Sequence, residues 1–239
     1  MEINKSEKRF RLSKEDFAKE RIEGVRDTFQ EVKKDYPEIL SFCLFGSLVK
    51  GDTKLESDID MAVFVDAEQL ECRFGNIGRY AGKPVVKKTI DREKGAIVLD
   101  TEMRVDVVRP IRNAIREILK KRLGLIDNQV RDILIKPISE DIIDSHVEEM
   151  VRGIEKENND PKKFETVYIS RNLYEMFHLE TGGGIRKYRK YLIDKLCAMG
   201  ETGERVWGEI VSDTSSMEHS HPDNIRYPRT LEEVKKIYA

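Results

Sequence analysis

Residues 45–65 read FGSLVKGDTKLESDIDMAVFV, and this stretch decides the fold. The apolar, β-rich run just before it predicts a buried strand that ends at Gly46, where glycine allows a tight turn and a close approach to a ligand. A second strand is predicted around the two aspartates. Because alternate side chains of a strand share a face, Asp58 and Asp60 should point the same way while Ile59 points into the core.

Two carboxylates aimed at one point repel each other unless a cation lies between them. Mg²⁺ suits such a site because it is a hard cation that prefers oxygen ligands. A third aspartate, Asp106, lies in the run Met103–Val108, which predicts another strand. An aspartate among β-branched residues needs a partner, since burying an unpaired charge is costly. Asp58, Asp60 and Asp106 are therefore candidate ligands for one or two Mg²⁺ ions.

Each aspartate also has a purely structural explanation. Asp58 could cap a turn, Asp60 could lie on the solvated face of an edge strand, and Asp106 could pair with Arg104 or Arg109. All three explanations would have to hold at once, beside a Gly-Ser turn, so the shared site is the favoured interpretation.

The pattern as a whole resembles the nucleotidyltransferase superfamily of DNA polymerase beta. It consists of an apolar strand, Gly46-Ser47, ten intervening residues, the aspartates Asp58 and Asp60, and a later aspartate on a strand. The resemblance covers roughly residues 38–109. Each piece alone is common, and it is the ordered set that is specific.

This resemblance implies a role for each residue of the pattern. Asp58 and Asp60 would hold a metal–triphosphate, with ATP as the expected donor. The turn at Gly46 and Ser47 would bind the β- and γ-phosphates through backbone N–H groups, the Ser47 hydroxyl and a helix N-terminus. Asp106 would bind a second metal ion or accept the proton of the attacking hydroxyl.

Composition restricts the class of protein further. The 239 residues carry 43 basic and 45 acidic side chains, a net charge of −2, which argues against general nucleic-acid binding. No apolar run approaches the ~20 residues that span a bilayer, and the N-terminus lacks the apolar core of a signal peptide. Cys43, Cys72 and Cys197 are too widely spaced to suggest a metal site or a disulfide framework. We therefore expect a cytoplasmic protein without a membrane partner.

The predicted fold class is α+β. A mixed sheet flanked by helices forms a nucleotidyltransferase catalytic domain over residues 1–110, and an all-helical substrate-binding domain follows over residues 111–239. Residues 95–99 and 103–109 are predicted to form a hairpin. Start signals for helices are found at Ser13, Ser139, Pro161 and Thr230, the last within the capping-box pattern Thr230-x-x-Glu233.

The helix expected after Pro161 carries a narrower resemblance. Residues 170–174 (SRNLY) and 179–185 (LETGGGI) look like the helical domain of aminoglycoside adenylyltransferases of the streptomycin/spectinomycin type. That family continues with a Ser-Lys pair, whereas this chain has Arg186-Lys187-Tyr188. Lys187 and Lys190 are thus the candidates for the phosphate-contacting lysine. The resemblance implies transfer of AMP from ATP to a hydroxyl of a small molecule such as an aminoglycoside, and hence antibiotic resistance.

Other acceptors and other bases stay open at this point. The enzyme could instead adenylylate a protein or an RNA end, as toxin–antitoxin nucleotidyltransferases do, or the fold could serve as a non-catalytic nucleotide sensor. A template-directed polymerase is not expected, because no duplex-binding domain is evident. The general base could be Asp106 or one of the glutamates Glu102, Glu175 and Glu180.

Overall fold

The computed structural model describes residues 14–50, 54, 56–80, 83–84, 86–91, 96–101, 103–130, 133–159, 166–168, 180–218 and 230–238. The chain divides into two compact units that alternate along the sequence. The first unit comprises Met1–Asp66, Val105–Lys136 and Met176–Gly184, and the second comprises Ala67–Arg104, Pro137–Glu175 and Ile185–Ala239.

The secondary structure mixes helices and strands throughout the described residues. The helices are α1 (Lys14–Asp35), α2 (Ser47–Lys50), α3 (Ala67–Phe74), α4 (Val105–Leu123), α5 (Glu140–Asn159), α6 (Arg186–Ala198), α7 (Glu201–Glu218) and α8 (Leu231–Tyr238), with a 3₁₀ helix at Asp127–Val130. The strands are β1 (Ile39–Phe45), β2 (Asp60–Asp66), β3 (Arg79–Tyr80), β4 (Lys83–Pro84), β5 (Val86–Asp91), β6 (Ala96–Thr101), β7 (Ile133–Ile138), β8 (Thr166–Tyr168) and β9 (Glu180–Thr181). None of the helices in the described part of the chain combines the length and the apolar character that crossing a bilayer requires.

The first unit is built on a four-stranded sheet in the order β7-β2-β1-β9. Strand β1 pairs antiparallel with both β2 and β9. Helix α1 packs on β1 and on α4. Its Phe29 ring meets Phe42 edge-on, with ring centroids 5.3 Å apart, and its Gly24 leaves room for Leu123, whose Cδ2 would lie 2.5 Å from an added Cβ. The apolar side chains of α1 form one wall of the core, with Phe17, Val25, Phe29 and Val32 buried.

The second unit contains a three-stranded sheet, β5-β6-β8, and most of the C-terminal helices. Helix α6 packs against α7 and α8, while α5 packs against α6 and α7. Two predicted helix starts are confirmed by their caps. The Ser139 hydroxyl accepts a bond from the Ile142 backbone N–H at 3.3 Å, and Thr230 and Glu233 form the reciprocal bonds of a capping box at 3.3 and 3.2 Å.

The strand predicted over residues 103–109 is wrong, because α4 begins at Val105. The reason is the period of the buried side chains, which recur every four residues on one helix face: Val107, Ile111, Ile115, Leu119 and Leu123. Helix α4 also runs through Pro110, where a domain boundary was predicted. Pro110 is the sixth residue of α4, so it removes one i→i−4 hydrogen bond from the helix, and α4 continues because its apolar face from Val107 to Leu123 is buried.

The α+β class with a helical C-terminal part is confirmed, but strands also occur after residue 110. Strand β7 lies at an edge of the first sheet, which agrees with its internal Pro137. The helix expected after Pro161 is wrong at Thr166–Tyr168, a β-rich triplet that pairs in parallel with β6. The rest of that predicted helix, to residue 179, lies outside the described residues.

The attachment of β9 to β1 depends on a close backbone approach, and this generates a stability prediction. Gly182 has φ +112°, and a Cβ there would lie 2.4 Å from the Phe29 ring and 2.7 Å from the Leu40 carbonyl oxygen. Gly183 has φ +69° but open space around it. We expect Gly182→Ala to lower the free energy of unfolding by about 2–4 kcal/mol, from strain and overpacking together.

The matched variant Gly183→Ala isolates the cost of the positive φ alone, about 1–2 kcal/mol. Urea denaturation of both variants measures the difference. Equal destabilisation by the two substitutions would contradict the close approach at Gly182.

Candidate active site

The turn at the end of β1 brings Asp60 against the backbone of Gly46. Asp60 is the first residue of β2 and stands opposite Phe45, the last residue of β1. Gly46 has φ +71°, a left-handed conformation that favours glycine. A Cβ at Gly46 would lie 2.0 Å from Asp60 Oδ2. The carboxylate thus occupies the space that any side chain at position 46 would fill.

Ser47 follows as the first residue of the short helix α2. Its Oγ is inaccessible to solvent, and the next residue, Leu48, is buried in the core. The buried Ser47 hydroxyl and the buried Leu48 therefore attach the turn to the protein interior. The Gly46 backbone lies beside the Asp60 carboxylate.

Asp58 lies just before β2, one residue outside the ladder. Ile59, between the two aspartates, is fully buried, whereas Asp58 and Asp60 are both partly exposed. This alternation agrees with the prediction that the two carboxylates lie on the opposite side of the chain from Ile59. The Ile59 N–H donates to the Gln129 carbonyl oxygen at 2.8 Å, which joins this segment to the 3₁₀ helix before β7.

Arg21 of α1 also reaches this segment, and the sequence interpretation overlooked it. Its guanidinium donates to the Ser57 carbonyl oxygen at 2.5 Å, while its Cζ lies 4.5 Å from the centre of the Phe17 ring. Arg21 is only 2% exposed. A signal was present in the sequence, because Arg21 stands between Phe17 and Val25 on the apolar stripe of its helix.

Asp106 occupies the exposed first turn of α4 rather than a strand. An acidic residue there interacts favourably with the positive end of the helix dipole. Its neighbour Arg104 donates to the Asn76 carbonyl oxygen at 2.9 Å. Within the residues that the structure describes, which include Asp58, Asp60 and Asp106, no three His, Cys, Asp or Glu side chains form a group that could hold a metal ion.

The basic residues of α4 serve the interior of the first unit. Arg112 Nε donates to the Ile133 carbonyl oxygen and Arg116 Nε to the Val130 carbonyl oxygen, each at 3.0 Å. Partial burial, together with the charge of Arg116, lowers the pKa of Arg112. Both arginines therefore hold the chain that leads into β7, beside the Ile59–Gln129 bond.

At the end of α4, two more basic residues form ion pairs. Lys120 lies 2.8 Å from Asp127, and the hydrogen bond between them raises the pKa of Lys120. Arg122 lies 2.6 Å from Glu31 of α1. Four of the basic residues of α4, Arg112, Arg116, Lys120 and Arg122, thus have partners within the first unit.

The two lysines predicted to contact phosphate lie on α6 of the second unit. Lys187 Nζ lies 4.4 Å from the centre of the Tyr188 ring, and Lys190 lies 3.1 Å from Asp194. On the same helix, Tyr191 donates to Asp144 at 2.9 Å, and this bond raises the pKa of Tyr191 to about 12. A phosphate role for Lys187 and Lys190 stays a prediction.

Of the glutamates proposed as general base, Glu180 is described and half-buried in β9. Its Oε1 accepts a bond from the buried Ser41 hydroxyl at 2.6 Å. In the register of the sheet, Glu180 stands opposite Cys43, and Asp60 stands opposite Phe45, so Glu180 and Asp60 share one sheet face. Glu102 and Glu175 lie outside the described residues.

Comparison with known families agrees with this arrangement of turn and aspartates. The nucleotidyltransferase domain family matches residues 25–145, which is 121 of the 239 residues and contains Gly46, Asp58 and Asp60. The chain belongs to this family. It is accordingly a transferase with nucleotidyltransferase activity, for which a nucleoside triphosphate is the donor substrate. Comparison with curated proteins and with solved structures gives no match.

The contact between Gly46 and Asp60 leads to a prediction about activity. Gly46→Ala should displace the Asp60 carboxylate, because the added Cβ and Oδ2 cannot both occupy the turn. We expect kcat/KM to fall by at least about 100-fold, since a small misplacement of a catalytic group can cost that much.

Gly75→Ala is the matched control. Gly75 has φ +72°, almost the same as Gly46, but a Cβ there would meet nothing within 4 Å. Gly75→Ala should lose only the stability that the positive φ costs, about 1–2 kcal/mol, whereas Gly46→Ala should lose more because of its contact with Asp60. At a temperature where both variants are folded, only Gly46→Ala should lose activity. Full activity in Gly46→Ala would show that the Asp60 position is not needed for transfer.

Proposed function

We propose that the protein is a Mg²⁺-dependent adenylyltransferase. It moves AMP from ATP to a hydroxyl of a small molecule, such as an aminoglycoside, and releases pyrophosphate. The observation that carries the proposal is the Asp60 carboxylate beside the Gly46 turn, with Asp58 two residues before it, both aspartates partly exposed and Ile59 buried between them.

The residues present are suited to Mg²⁺. Asp58 and Asp60 offer carboxylate oxygens, the donors that this ion prefers. Mg²⁺ in nucleotide enzymes is usually bound by one or two carboxylates together with substrate phosphates and waters. A pair of aspartates therefore suffices for the protein's share of the ligands. When bound, the ion would neutralise charge that develops on the transferring phosphoryl group.

Within this proposal, the acceptor oxygen attacks the α-phosphorus, and the bond from that phosphorus to the bridging oxygen of pyrophosphate breaks. The backbone N–H groups at Gly46 and Ser47 bind the departing phosphates. The proton of the acceptor hydroxyl passes to a carboxylate, for which Asp106 and Glu180 are the described candidates. Lys187 and Lys190 are assigned to the triphosphate.

A protein or RNA acceptor is the second candidate, and one observation favours it. The helix expected after Pro161 leads into the segments that carry the resemblance to aminoglycoside enzymes, but Thr166–Tyr168 form a strand in the sheet β5-β6-β8 and Glu180–Thr181 form strand β9. The substrate-binding half expected at residues 111–239 thus departs from that family. A non-catalytic sensor is less favourable, because Asp58 and Asp60 are both present.

We also propose a cytoplasmic location. It fits the use of ATP as donor, and it fits the state of the cysteines, since Cys43, Cys72 and Cys197 form no disulfide with one another.

The deciding experiment measures pyrophosphate release from ATP and Mg²⁺ with three sets of acceptors. The first set contains aminoglycosides and spectinomycin, the second contains RNA with free ends, and the third contains proteins. Release that depends on one drug supports the small-molecule proposal and identifies its acceptor. Release with RNA or protein alone moves the acceptor to that class, and no release under any condition contradicts a catalytic function.

The aspartates give a direct test of the proposed metal site. Asp58→Asn and Asp60→Asn should each lower kcat by roughly 1,000-fold, because stabilisation by the metal ion is worth several kcal/mol. Glu56→Gln removes the same charge from an exposed position two residues from Asp58 and should have little effect. Melting curves verify that each variant is folded, and wild-type rates in either Asp variant would refute the assignment.

The role of Asp106 requires its own variant. Asp106→Asn should lower kcat with little change in the KM for ATP if this carboxylate accepts the proton. An unchanged kcat would restrict Asp106 to the first turn of α4 and transfer the role of base to another carboxylate, with Glu180→Gln as the next variant.

A further inference from the structure

We infer that Arg21 is a positioning residue for Asp58, an inference that rests on the proposed metal site. Arg21 lies before residue 25, where the match to the nucleotidyltransferase family begins. This role requires no contact between Arg21 and the substrate. The buried guanidinium fixes the peptide that carries the first aspartate.

Asp58 lies outside the sheet, so strand pairing does not fix its position. Strand β2 begins at Asp60, so the position of Asp60 follows from its pairing with Phe45 and from the Gly46 turn. Asp58 lies two residues earlier, directly after the polar residues Glu56 and Ser57. Carboxylates that bind a metal need a fixed geometry, and a residue outside a ladder must obtain that geometry from other bonds.

The structure supplies one bond on each side of Asp58. On the N-terminal side, the Ser57 carbonyl oxygen accepts from Arg21, which fixes the plane of the Ser57–Asp58 peptide. On the C-terminal side, the Ile59 N–H donates to the Gln129 carbonyl oxygen at 2.8 Å, which fixes the plane of the Asp58–Ile59 peptide. Both planes that flank the Asp58 Cα are thus determined by tertiary hydrogen bonds.

Of these two bonds, only the one from Arg21 uses a side chain, so only it can be removed by substitution. The buried state of Arg21 also argues for a specific role. Burying a guanidinium is costly, and the cost is offset here by the Phe17 ring at 4.5 Å and by the bond to Ser57. A helix residue that only needed to fill this space could be apolar, like Phe17 or Val25 on the same face.

Ser57 itself is held from a second direction. Its hydroxyl accepts from the Lys54 N–H at 2.9 Å, and its own N–H donates to the Lys54 carbonyl oxygen at 3.1 Å. These bonds close a small turn before the aspartate, and Arg21 anchors that turn to α1. Without Arg21, the turn would keep its local shape and lose its attachment.

The experiment measures Mn²⁺ binding to the full chain, by loss of the EPR signal of the free aqueous ion. Four proteins form a double-mutant cycle: the wild type, Arg21→Met, Asp58→Asn and the double variant. Arg21→Met keeps an unbranched stem without the guanidinium. We expect it to weaken Mn²⁺ binding by roughly 10- to 100-fold, the usual effect of removing a group that orients a metal ligand.

The double variant distinguishes positioning from a general structural role. If Arg21 acts through Asp58, Arg21→Met should cause no further loss in the Asp58→Asn background. Equal losses in both backgrounds, or no loss in the wild-type background, would overturn the inference. The exposed Arg26 on the same helix provides the control, and Arg26→Met should leave binding unchanged.

Failure of the metal site itself has a separate signature. If the wild type binds no Mn²⁺, or if Asp58→Asn does not weaken binding, then the proposed metal site is wrong whatever Arg21 does. Should Arg21→Met fail to fold in circular dichroism, Arg21→Lys replaces it in the cycle. Lysine keeps the charge and a donor, so a smaller loss of binding is expected, again absent in the Asp58→Asn background.

Discussion

The close approach of the Asp60 carboxylate to the Gly46 backbone is the constraint on which the first unit depends. It fixes the last pair of the β1–β2 ladder, because no other residue at position 46 leaves space for that carboxylate. A slip of one residue would turn every side chain of β2 to the other face, and because Met61–Asp66 are all buried it would exchange the packing of Met61 and Val63 with that of Ala62 and Phe64. The contact between Gly46 and Asp60 therefore determines both the geometry of the site and the pairing register of β1 and β2.

Buried and partly buried arginines have a second structural role in this unit. Arg21, Arg112 and Arg116 donate to main-chain carbonyl oxygens of Ser57, Ile133 and Val130. Each of these bonds holds a segment that lies outside regular helix or strand, or at the start of a strand. A planar guanidinium suits this role because it carries several donors in a rigid arrangement. The arginines thus act as cross-links between chain segments.

The sequence predicted the elements whose signals are local and failed where tertiary contacts decide. The strand β1, the Gly46 turn and the capping box of α8 follow from residue types and short spacings, and all three are present. Residues 103–109 were assigned to the wrong element, because a short apolar run does not distinguish a strand from the first turn of a helix.

The remaining differences are long-range. Strand β8 is stabilised by its pairing with β6, which lies about 70 residues earlier in the chain. A local sequence pattern does not indicate a pairing partner at that distance. The contact of Arg21 with Ser57 likewise joins residues far apart in sequence. The local indication of this contact was Arg21 itself, a charged residue between the apolar Phe17 and Val25 of α1.

The two units alternate along the sequence, and this order has a consequence for folding during synthesis on the ribosome. Strand β9, at residues 180–181, closes one edge of a sheet whose first strand begins at residue 39. Meanwhile, residues 67–104, which belong to the other unit, are synthesised between β2 and α4. The sheet that contains Asp60 therefore stays incomplete until most of the chain has emerged, and the nascent protein has an unpaired strand edge during that interval.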